Sequence, residues 1–437
     1  MKLCYNKIMS NQLQNMDISQ TLKMNEKITL FKQQKKQIYQ FGFGQSPFPV
    51  PPSMNTNLIN NSSNNKYLPV QGIKELRNSI ANFYEKYTET HINADNIIIG
   101  PGSKELLFLF SIIYDSDIIL PDSCWVSYSR QAIINQKQII WYRSCFEDNW
   151  KIIPAKLDKL LENSNDTSQN KRNKYLILNS PCNPTGQVYT DRELKDLAII
   201  AAKHNLIIIS DEIYSEFSFV THSSIAKYYN NTIICSGISK FLSCGGWRLG
   251  FMIFPDNLRN LLKSMCNVAS ESYSCVCSPV QYASIIGFKS PEIIDYITSC
   301  REILKEVALY VYNELTKKNN DIIVHKSEGG FYIFPIFTNT PKAKVLFTEW
   351  DNKYSKSSTQ FSKWVFNKLF DETGIAVLPG VEFGRSDSEL SCRLAYIDFD
   401  GGLLLDKYQN EPLNRDFIIR YCPNIVKGVQ LLIDWWK

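Results

Sequence analysis

The sequence has few of the residues that build metal sites and disulfide frameworks, and it has no long apolar run. Its 437 residues include only four histidines, none paired at metal-ligand spacing, and twelve cysteines without a C-x-x-C pair. This pattern predicts no metal site and favours free thiols in a reducing compartment. The longest nearly apolar run, Leu106 to Tyr114, ends at Asp115. A membrane helix needs roughly 20 apolar residues, so we predict no membrane span.

Neither one sign of charge nor small residues dominate the composition. The 48 basic residues exceed the 43 acidic ones only slightly, which argues against a nucleic-acid-binding protein. Glycine and proline occur 19 and 18 times without a period, and 44% of the residues are hydrophobic, so a fibre or a disordered chain is excluded. Met1 to Met16 lack the apolar core of a signal peptide. We therefore expect a globular, cytoplasmic protein.

Seven short β-branched runs alternate with helical patterns through the middle of the chain. Several runs are apolar without alternation, as in strands that are buried on both faces. One helix is marked by a capping box, Thr190-Asp-Arg-Glu193, and is expected to reach about His204. Strands separated by helices predict an α/β fold with a mostly parallel sheet sandwiched by helices. The predicted strands are Ile97–Ile99, Ile118–Leu120, Ile139–Tyr142, Tyr175–Leu178, Leu206–Ile209, Thr232–Cys235 and Phe251–Phe254.

The two ends of the chain differ from the middle, and we expect a smaller α+β domain built from both of them. The polar stretches 163–173 and 338–359 are predicted surface insertions, and the Asn- and Ser-rich stretch 55–66 is a predicted exposed loop. The predicted segments are a flexible N-terminus over 1–16, an N-terminal arm and part of the small domain over 17–66, a large domain over 67–291, and a small C-terminal domain over 292–437.

Four polar loops lie beside the ends of predicted strands, and each is a weak signal by itself. Ligands of such sheets bind beyond the carboxyl ends of the strands, so we expect the loops to meet at one edge. With one tryptophan, they supply an anion site, an amine, a carboxylate, hydroxyl and amide donors, and a stacking ring. The anion site consists of Gly102, Ser103 and Arg248, the amine is that of Lys240, and the carboxylate is that of Asp211. Tyr214 and Asn183 are the hydroxyl and amide donors, and Trp125 supplies the stacking ring.

This set of groups suits pyridoxal phosphate. The phosphate of that cofactor needs a helix N-terminus and a guanidinium, and its aldehyde needs a lysine. Its pyridine nitrogen stays protonated only beside a carboxylate, and the protonated ring then acts as an electron sink. The combination therefore predicts pyridoxal 5'-phosphate as the cofactor.

At these residues the sequence resembles the class I and II aminotransferases, which are fold-type I pyridoxal-phosphate enzymes. The resemblance extends from about Ile18 to the C-terminus and rests on six ordered motifs. It implies a transferase that moves an amino group between an amino acid and a 2-oxo acid. The motifs are Tyr67–Gly72, Asn183–Gly186, Asp211–Tyr214, Ser239–Lys240 with Gly246–Gly250, Val377–Gly380 with Phe383–Gly384, and Cys392–Leu394.

The resemblance implies a role for each cofactor-binding residue. Lys240 is expected to form an aldimine with the cofactor and then to act as general acid and base in the proton shift. Asp211 is expected to pair with the pyridinium, and Tyr214 and Asn183 are expected to bond the ring oxygen. Trp125 is expected to stack on the ring, with plain core packing as the alternative. The expected phosphate contacts are Gly102, Ser103, Lys104, Ser236, Ser239 and Arg248.

Substrate and subunit contacts follow from the same resemblance. Arg393 is expected to bind the substrate α-carboxylate in bidentate fashion, helped by Asn183 and the backbone of Gly44. Tyr67 is expected to reach the phosphate of the neighbouring subunit, which implies a homodimer. The segment 269–278 contains no Arg or Lys, so we expect no strong preference for aspartate through it. Lys104 is an alternative cation for a second carboxylate.

The motifs leave two other functions open. Another enzyme on the same scaffold, such as a C–S β-lyase or a cyclopropane-forming synthase, shares all of them. A non-catalytic regulatory domain that binds the cofactor is disfavoured, because Lys240 and Arg393 are both intact. Conversion of bound cofactor to its amine form by an amino acid separates these functions from an aminotransferase.

Overall fold

Short strands and longer helices alternate in the computed structural model, which describes residues 20–34, 36–165, 172–317, 321–354 and 360–437. The predicted flexible segment 1–16 lies outside these residues. The strands are β1 Tyr39–Gln40, β2 Ile97–Gly100, β3 Ser116–Pro121, β4 Ile139–Tyr142, β5 Asn173–Asn179, β6 Ile207–Asp211, β7 Thr232–Gly237, β8 Gly250–Ile253, β9 Tyr332–Ile333, β10 Ile375–Ala376, β11 Leu378–Pro379 and β12 Cys392–Ala395. The helices are α1 Gln20–Gln33, α2 Pro52–Asn60, α3 Lys74–Thr88, α4 Ser103–Ile113, α5 Val126–Ile134, α6 Pro154–Asn165, α7 Asp191–Lys203, α8 Arg259–Ser270, α9 Ser278–Ser284, α10 Pro291–Thr316, α11 Pro341–Tyr354, α12 Phe361–Thr373, α13 Gly401–Tyr408, α14 Arg415–Tyr421 and α15 Pro423–Trp436.

Seven strands form one large sheet in the order β2-β8-β7-β6-β5-β3-β4. Strands β3 to β7 run parallel to one another, and β8 is antiparallel to both of its neighbours. Each of the seven predicted runs forms one of these strands, with ends that agree within two residues. The carboxyl ends of β5, β6 and β7 therefore share one edge of the sheet, where the polar loops lie.

Helices cover both faces of the large sheet. Ile209 in β6 belongs to a core cluster with side chains of α4 and α8. Its neighbour Ile208 points to the other face and belongs to a cluster with side chains of α6 and α7. Both isoleucines are fully buried, as the absence of apolar–polar alternation predicts. The predicted sandwich of helices around a mostly parallel sheet is confirmed.

The two ends of the chain meet in a smaller α+β part. Strand β1, near the N-terminus, pairs in parallel with β10, and β9, β11 and β12 form a separate antiparallel sheet. The 26-residue helix α10 packs against α14 and α15. The predicted small unit built from both ends is thus present, while the boundaries after residues 16, 66 and 291 stay predictions. None of the helices in the described ranges has the length and apolar character to cross a bilayer.

Two predicted surface stretches are partly helical. Helix α2 occupies the first part of the stretch 55–66, because a proline starts the helix and Met54 is fully buried. Helix α11 occupies much of the stretch 338–359 and buries Ala343 and Leu346. The prediction of an exposed loop at 55–60 was wrong, because it rested on the Asn and Ser content and did not take into account the proline that starts the helix. The middle of the stretch 163–173 and residues 355–359 lie outside the described residues.

Candidate active site

A cavity of about 680 Å³ opens at the edge of the large sheet where β5, β6 and β7 end. Its volume lies within the range of about 300–1,000 Å³ that is usual for small-molecule sites. Parallel strands bring these loops together, because their carboxyl ends share an edge. Eleven predicted site residues line the cavity: Gly44, Ser103, Lys104, Trp125, Asn183, Asp211, Tyr214, Ser239, Lys240, Arg248 and Arg393.

Lys240 extends into the cavity from the turn after β7. Its Nζ donates a 2.7 Å hydrogen bond to the Gly44 carbonyl and lies 5.7 Å from the centre of the Tyr214 ring. Burial, reinforced by the positive charges of Arg393 and Arg248, lowers the pKa of Lys240 to about 8. At pH 7 about a tenth of such amines are neutral, against about one in 2,500 for a lysine of pKa near 10.4. The amine is therefore prepared for nucleophilic and acid–base chemistry.

Asp211 is buried at the carboxyl end of β6. The Tyr128 hydroxyl donates a 2.5 Å hydrogen bond to its Oδ2, and the Ile213 N–H donates to its Oδ1 at 3.3 Å. Burial raises the pKa of Asp211 to about 6, and the hydrogen bond from Tyr128 opposes this rise. A cation placed next to the carboxylate would favour its charged form. The position is thus suited to a protonated ring nitrogen.

Two buried tyrosines complete the site, and neither had a predicted role. Tyr128 lies in the first turn of α5, three residues after Trp125, and its hydroxyl reaches Asp211. The hydroxyl of Tyr332 lies 2.9 Å from the hydroxyl of Tyr214. A Cβ on Gly44 would lie 1.9 Å from the Tyr332 hydroxyl, so a larger residue at that position would displace the Tyr332 ring. The sequence contains no local signal for these roles, because it does not show which distant groups a tyrosine hydroxyl meets.

Arg393 is buried in β12 and faces the cavity. Its guanidinium donates to the Gly42 carbonyl at 2.6 Å and to Asn183 Oδ1 at 3.1 Å, and its Cζ lies over the Tyr332 ring, 4.5 Å from the ring centre. Its Nε–H is buried and has no acceptor among the described residues. A guanidinium has five N–H donors, so most of them remain available to a ligand. Because an unpaired buried donor is costly, the site favours an anion such as a carboxylate.

A second anion-binding region lies at the N-terminus of α4. Ser103 starts the helix, and Gly102 caps it with a φ of +90°. A Cβ on Gly102 would lie 2.2 Å from Arg248 Nη2, so glycine lets the guanidinium approach the helix end. Partial burial and the charge on Arg248 lower the pKa of Lys104, whose Nζ lies 5.0 Å from the Trp125 ring. Two cations beside a helix N-terminus suit a phosphate group.

Three predicted residues do not line the cavity: Gly102, which caps α4 beside it, Ser236 and Tyr67. Ser236 is fully buried within β7, and its hydroxyl donates to the Glu212 carbonyl at 3.3 Å. We therefore remove Ser236 from the expected phosphate contacts, because its side chain points into the core beside the sheet. Tyr67 does not line the cavity of its own chain, and 92% of its surface is exposed.

The residues present fit pyridoxal phosphate. Lys240 supplies an amine of lowered pKa, and Asp211 supplies a buried carboxylate. Arg248 belongs to the phosphate region, and Trp125 is a flat aromatic side chain that lines the same cavity. The unpaired buried N–H of Arg393 adds a second anion site for a substrate. Each polar requirement of the cofactor therefore has a matching group.

Comparisons with known proteins agree with this arrangement. Residues 36–396 match the family model described as aminotransferase class I and II. The aspartate aminotransferase of Bacillus subtilis (strain 168) is 29% identical over 389 residues, which cover 86% of this chain and 91% of the relative. The asparagine–oxo-acid transaminase of Streptococcus mutans is 27% identical, with 89% and 94% covered. The solved aspartate aminotransferase of Thermus thermophilus with maleate has a TM-score of 0.79 at 22% identity, with 98% and 99% covered.

The solved structure shows the fold, and the family model extends the likeness to the reaction class. Both curated relatives named above are transaminases, so a C–S β-lyase or a regulatory domain is not favoured. Enzymes of the matching family depend on pyridoxal phosphate, in agreement with the groups that line the cavity. With the predicted sheet, the Lys240 and Asp211 loops and the Arg393 strand all in place, the chain belongs to the class I and II aminotransferase family.

Proposed function

We propose that Lys240, Asp211 and Tyr214 carry the transfer of an amino group between an amino acid and a 2-oxo acid. The observation that supports this most directly is the Lys240 amine, whose pKa is lowered to about 8 in a cavity that Asp211 and Arg393 also line. Pyridoxal phosphate, when bound, supplies an aldehyde and an electron-withdrawing ring. Lys240 would hold the aldehyde, and as a neutral amine it would accept the proton from the substrate α-carbon.

The other side chains of the cavity bind and orient the reactants. Asp211 would keep the ring nitrogen protonated, and Trp125 would stack on the ring. Tyr214 and Asn183 donate to the ring oxygen, while Arg393 binds the substrate α-carboxylate. Positioning of this kind can account for several orders of magnitude in rate. The proposed phosphate contacts are Gly102, Ser103, Ser239 and Arg248.

Borohydride reduction tests the role of Lys240. We expect reduction of the cofactor-loaded protein to fix the cofactor on the peptide that contains Lys240, as read by peptide mass. Lys240→Ala should lose this link while it still binds the cofactor, because the phosphate region is unchanged. Lys104→Ala is the matched control, since Lys104 lines the same cavity. A fixed cofactor in the Lys240→Ala protein would show that another lysine serves.

We further propose that Lys104 recognises the distal group of an acidic substrate or of its amide. The two curated relatives are named for aspartate and asparagine, and the segment 269–278 of this chain has no cation. The ammonium of Lys104 lies at the cavity beside Trp125, and its pKa is lowered by burial and by Arg248. An anion at this point relieves that unfavourable environment.

The change Lys104→Met separates this role from a phosphate contact. We expect the half-reaction with aspartate to slow by roughly ten- to a hundredfold, as a charged hydrogen bond predicts. The half-reaction with alanine, which has no distal group, should change less than about threefold. Equal losses for both donors would assign Lys104 to the cofactor phosphate instead.

We also propose a cytoplasmic homodimer in which Tyr67 reaches the cofactor phosphate of the neighbouring subunit. Tyr67 is 92% exposed on the single chain, so its side chain is accessible to a neighbouring subunit. The cysteines of the described residues are free thiols, which agrees with a reducing compartment. Sedimentation at micromolar concentration tests the dimer.

A further inference from the structure

Arg385 lies in the segment that joins β11 to β12, the strand that carries Arg393. Its side chain forms hydrogen bonds with residues that follow β3 and β4. Its Nη1 donates to Asp122 Oδ1 at 2.7 Å and to the Ser144 carbonyl at 2.9 Å. Its Nε and Nη2 form a bidentate pair with Glu389 at 3.0 and 2.5 Å. The side chain is only 11% exposed. One guanidinium thus joins its own segment to the region that follows β3.

Asp122 directly follows β3 and lies three residues before Trp125. Its side chain is 5% exposed, and its Oδ1 also accepts from the backbone N–H of Ser144 at 2.9 Å and from the Ser144 hydroxyl at 2.7 Å. The carboxylate is therefore fixed at the start of the loop that ends in Trp125. Arg143 also reaches Asp122, at Oδ2 and 3.2 Å, but its side chain is 74% exposed.

A second ion pair joins the same two regions a few residues away. Glu382, only 5% exposed, lies 3.3 Å from Arg130 Nη2 and 2.8 Å from Lys363 Nζ. Arg130 belongs to α5, the helix that begins after Trp125 and carries Tyr128. The stretch 122–130 is therefore contacted near both of its ends by the short segment 382–385.

We propose that Arg385 and Glu382 are positioning residues that hold the stretch 122–130 against the strand that carries Arg393. This inference rests on the proposed roles of Trp125 and Arg393. Low exposure strengthens these ion pairs, because solvent screens them little. The consequence is that the stacking ring and the carboxylate-binding guanidinium keep a fixed separation although they are far apart in sequence. Misplacement of about 1 Å in such an arrangement can cost on the order of a hundredfold in rate.

The test compares Arg385→Met with the control Arg143→Met, since both arginines contact Asp122 but Arg385 is 11% exposed and Arg143 is 74% exposed. We expect Arg385→Met to raise the KM for the amino donor roughly tenfold or more. We also expect it to reduce the visible circular dichroism of bound cofactor, because the stacking ring moves. Arg143→Met should stay within about twofold of the parent in both, as an exposed ion pair predicts. Arg385→Lys, which keeps the charge but loses the bidentate pair, should fall between the two.

Melting temperature separates positioning from plain stability. If Arg385→Met and Arg385→Lys melt earlier but keep the KM, the rate and the dichroism of the parent within twofold, the inference is overturned. If Arg385→Met does not fold, the same three measurements on Arg385→Lys decide. The dichroism needs no turnover, so it tests the positioning role even if the parent protein fails in the half-reaction, a failure that would instead contradict the proposed function.

Discussion

The substitution Tyr128→Phe deletes a single oxygen atom and removes the hydrogen bond from Tyr128 to Asp211. The ring remains, so packing at this buried position is nearly unchanged. The bond is 2.5 Å long, and it holds down the pKa of a carboxyl that burial has raised to about 6. A hydrogen bond to a charged group contributes about 1.5–3 kcal/mol. Since 1.36 kcal/mol corresponds to one pKa unit, the pKa of Asp211 should rise by about one to two further units.

The consequence in the loaded enzyme is a weaker pairing between Asp211 and the ring nitrogen. The same free energy, lost from the transition state, slows the half-reaction by roughly ten- to a hundredfold. Stopped-flow absorbance, which follows bound cofactor between its aldehyde and amine forms, measures this rate from pH 6 to pH 9. The loss should be largest at the acidic end, where a carboxyl of raised pKa is protonated first.

A matched tyrosine distinguishes this effect from a general response to lost hydroxyls. Tyr142 is buried and its hydroxyl accepts the Ile153 N–H at 2.9 Å, but it does not line the cavity. Tyr142→Phe should leave the half-reaction rate unchanged within about twofold. If Tyr128→Phe behaves like this control over the whole pH range, the hydrogen bond does not tune Asp211 and the reasoning is refuted.

Four further outcomes follow from the titrating and exposed groups. Asp211→Asn should slow turnover by several orders of magnitude, because an amide cannot stabilise a pyridinium. In the apoenzyme, Asp211→Asn should raise the free energy of unfolding at pH 7. The pKa of Asp211 is about 6 in the folded protein and near 3.9 in the unfolded chain, so the free energy of unfolding of the parent should fall by up to about 3 kcal/mol from pH 4 to pH 7. Urea unfolding that shows no such fall contradicts the raised pKa. The rate at which the apoenzyme captures cofactor should rise with pH and level off above about 8, whereas a rise that continues to pH 10 would mean that the pKa of Lys240 is not lowered. A mixed dimer of Tyr67→Phe and Lys240→Ala chains should keep one unimpaired site, and a dimer with no unimpaired site would remove Tyr67 from the neighbouring site.

The large sheet and its loops could be predicted because their signals are local. Runs of isoleucine between helical patterns mark strands that are buried on both faces. Thr190 and Glu193 form the predicted capping box, with the Glu193 N–H donating to the Thr190 hydroxyl at 3.3 Å. The Lys240 and Asp211 loops directly follow strands, so the topology brings them to one edge.

The contacts that tune the site depend on long-range placement and could not be predicted. Tyr128 and Asp211 are separated by 83 residues, and Arg385 and Asp122 by 263. A motif states which residue types are present, but not which hydroxyl or guanidinium meets which carboxylate. Ser236 illustrates the same limit, because a serine next to a binding loop can equally point into the core.

The most direct test of the central claim is a pair of half-reactions on the loaded enzyme. An amino acid added in the absence of a 2-oxo acid should convert the bound cofactor to its amine form, with release of one equivalent of the matching 2-oxo acid. A second 2-oxo acid should then restore the aldehyde form, and Lys240→Ala should do neither at a comparable rate. Release of ammonia, or bound cofactor that never reaches the amine form, would contradict amino-group transfer at this site.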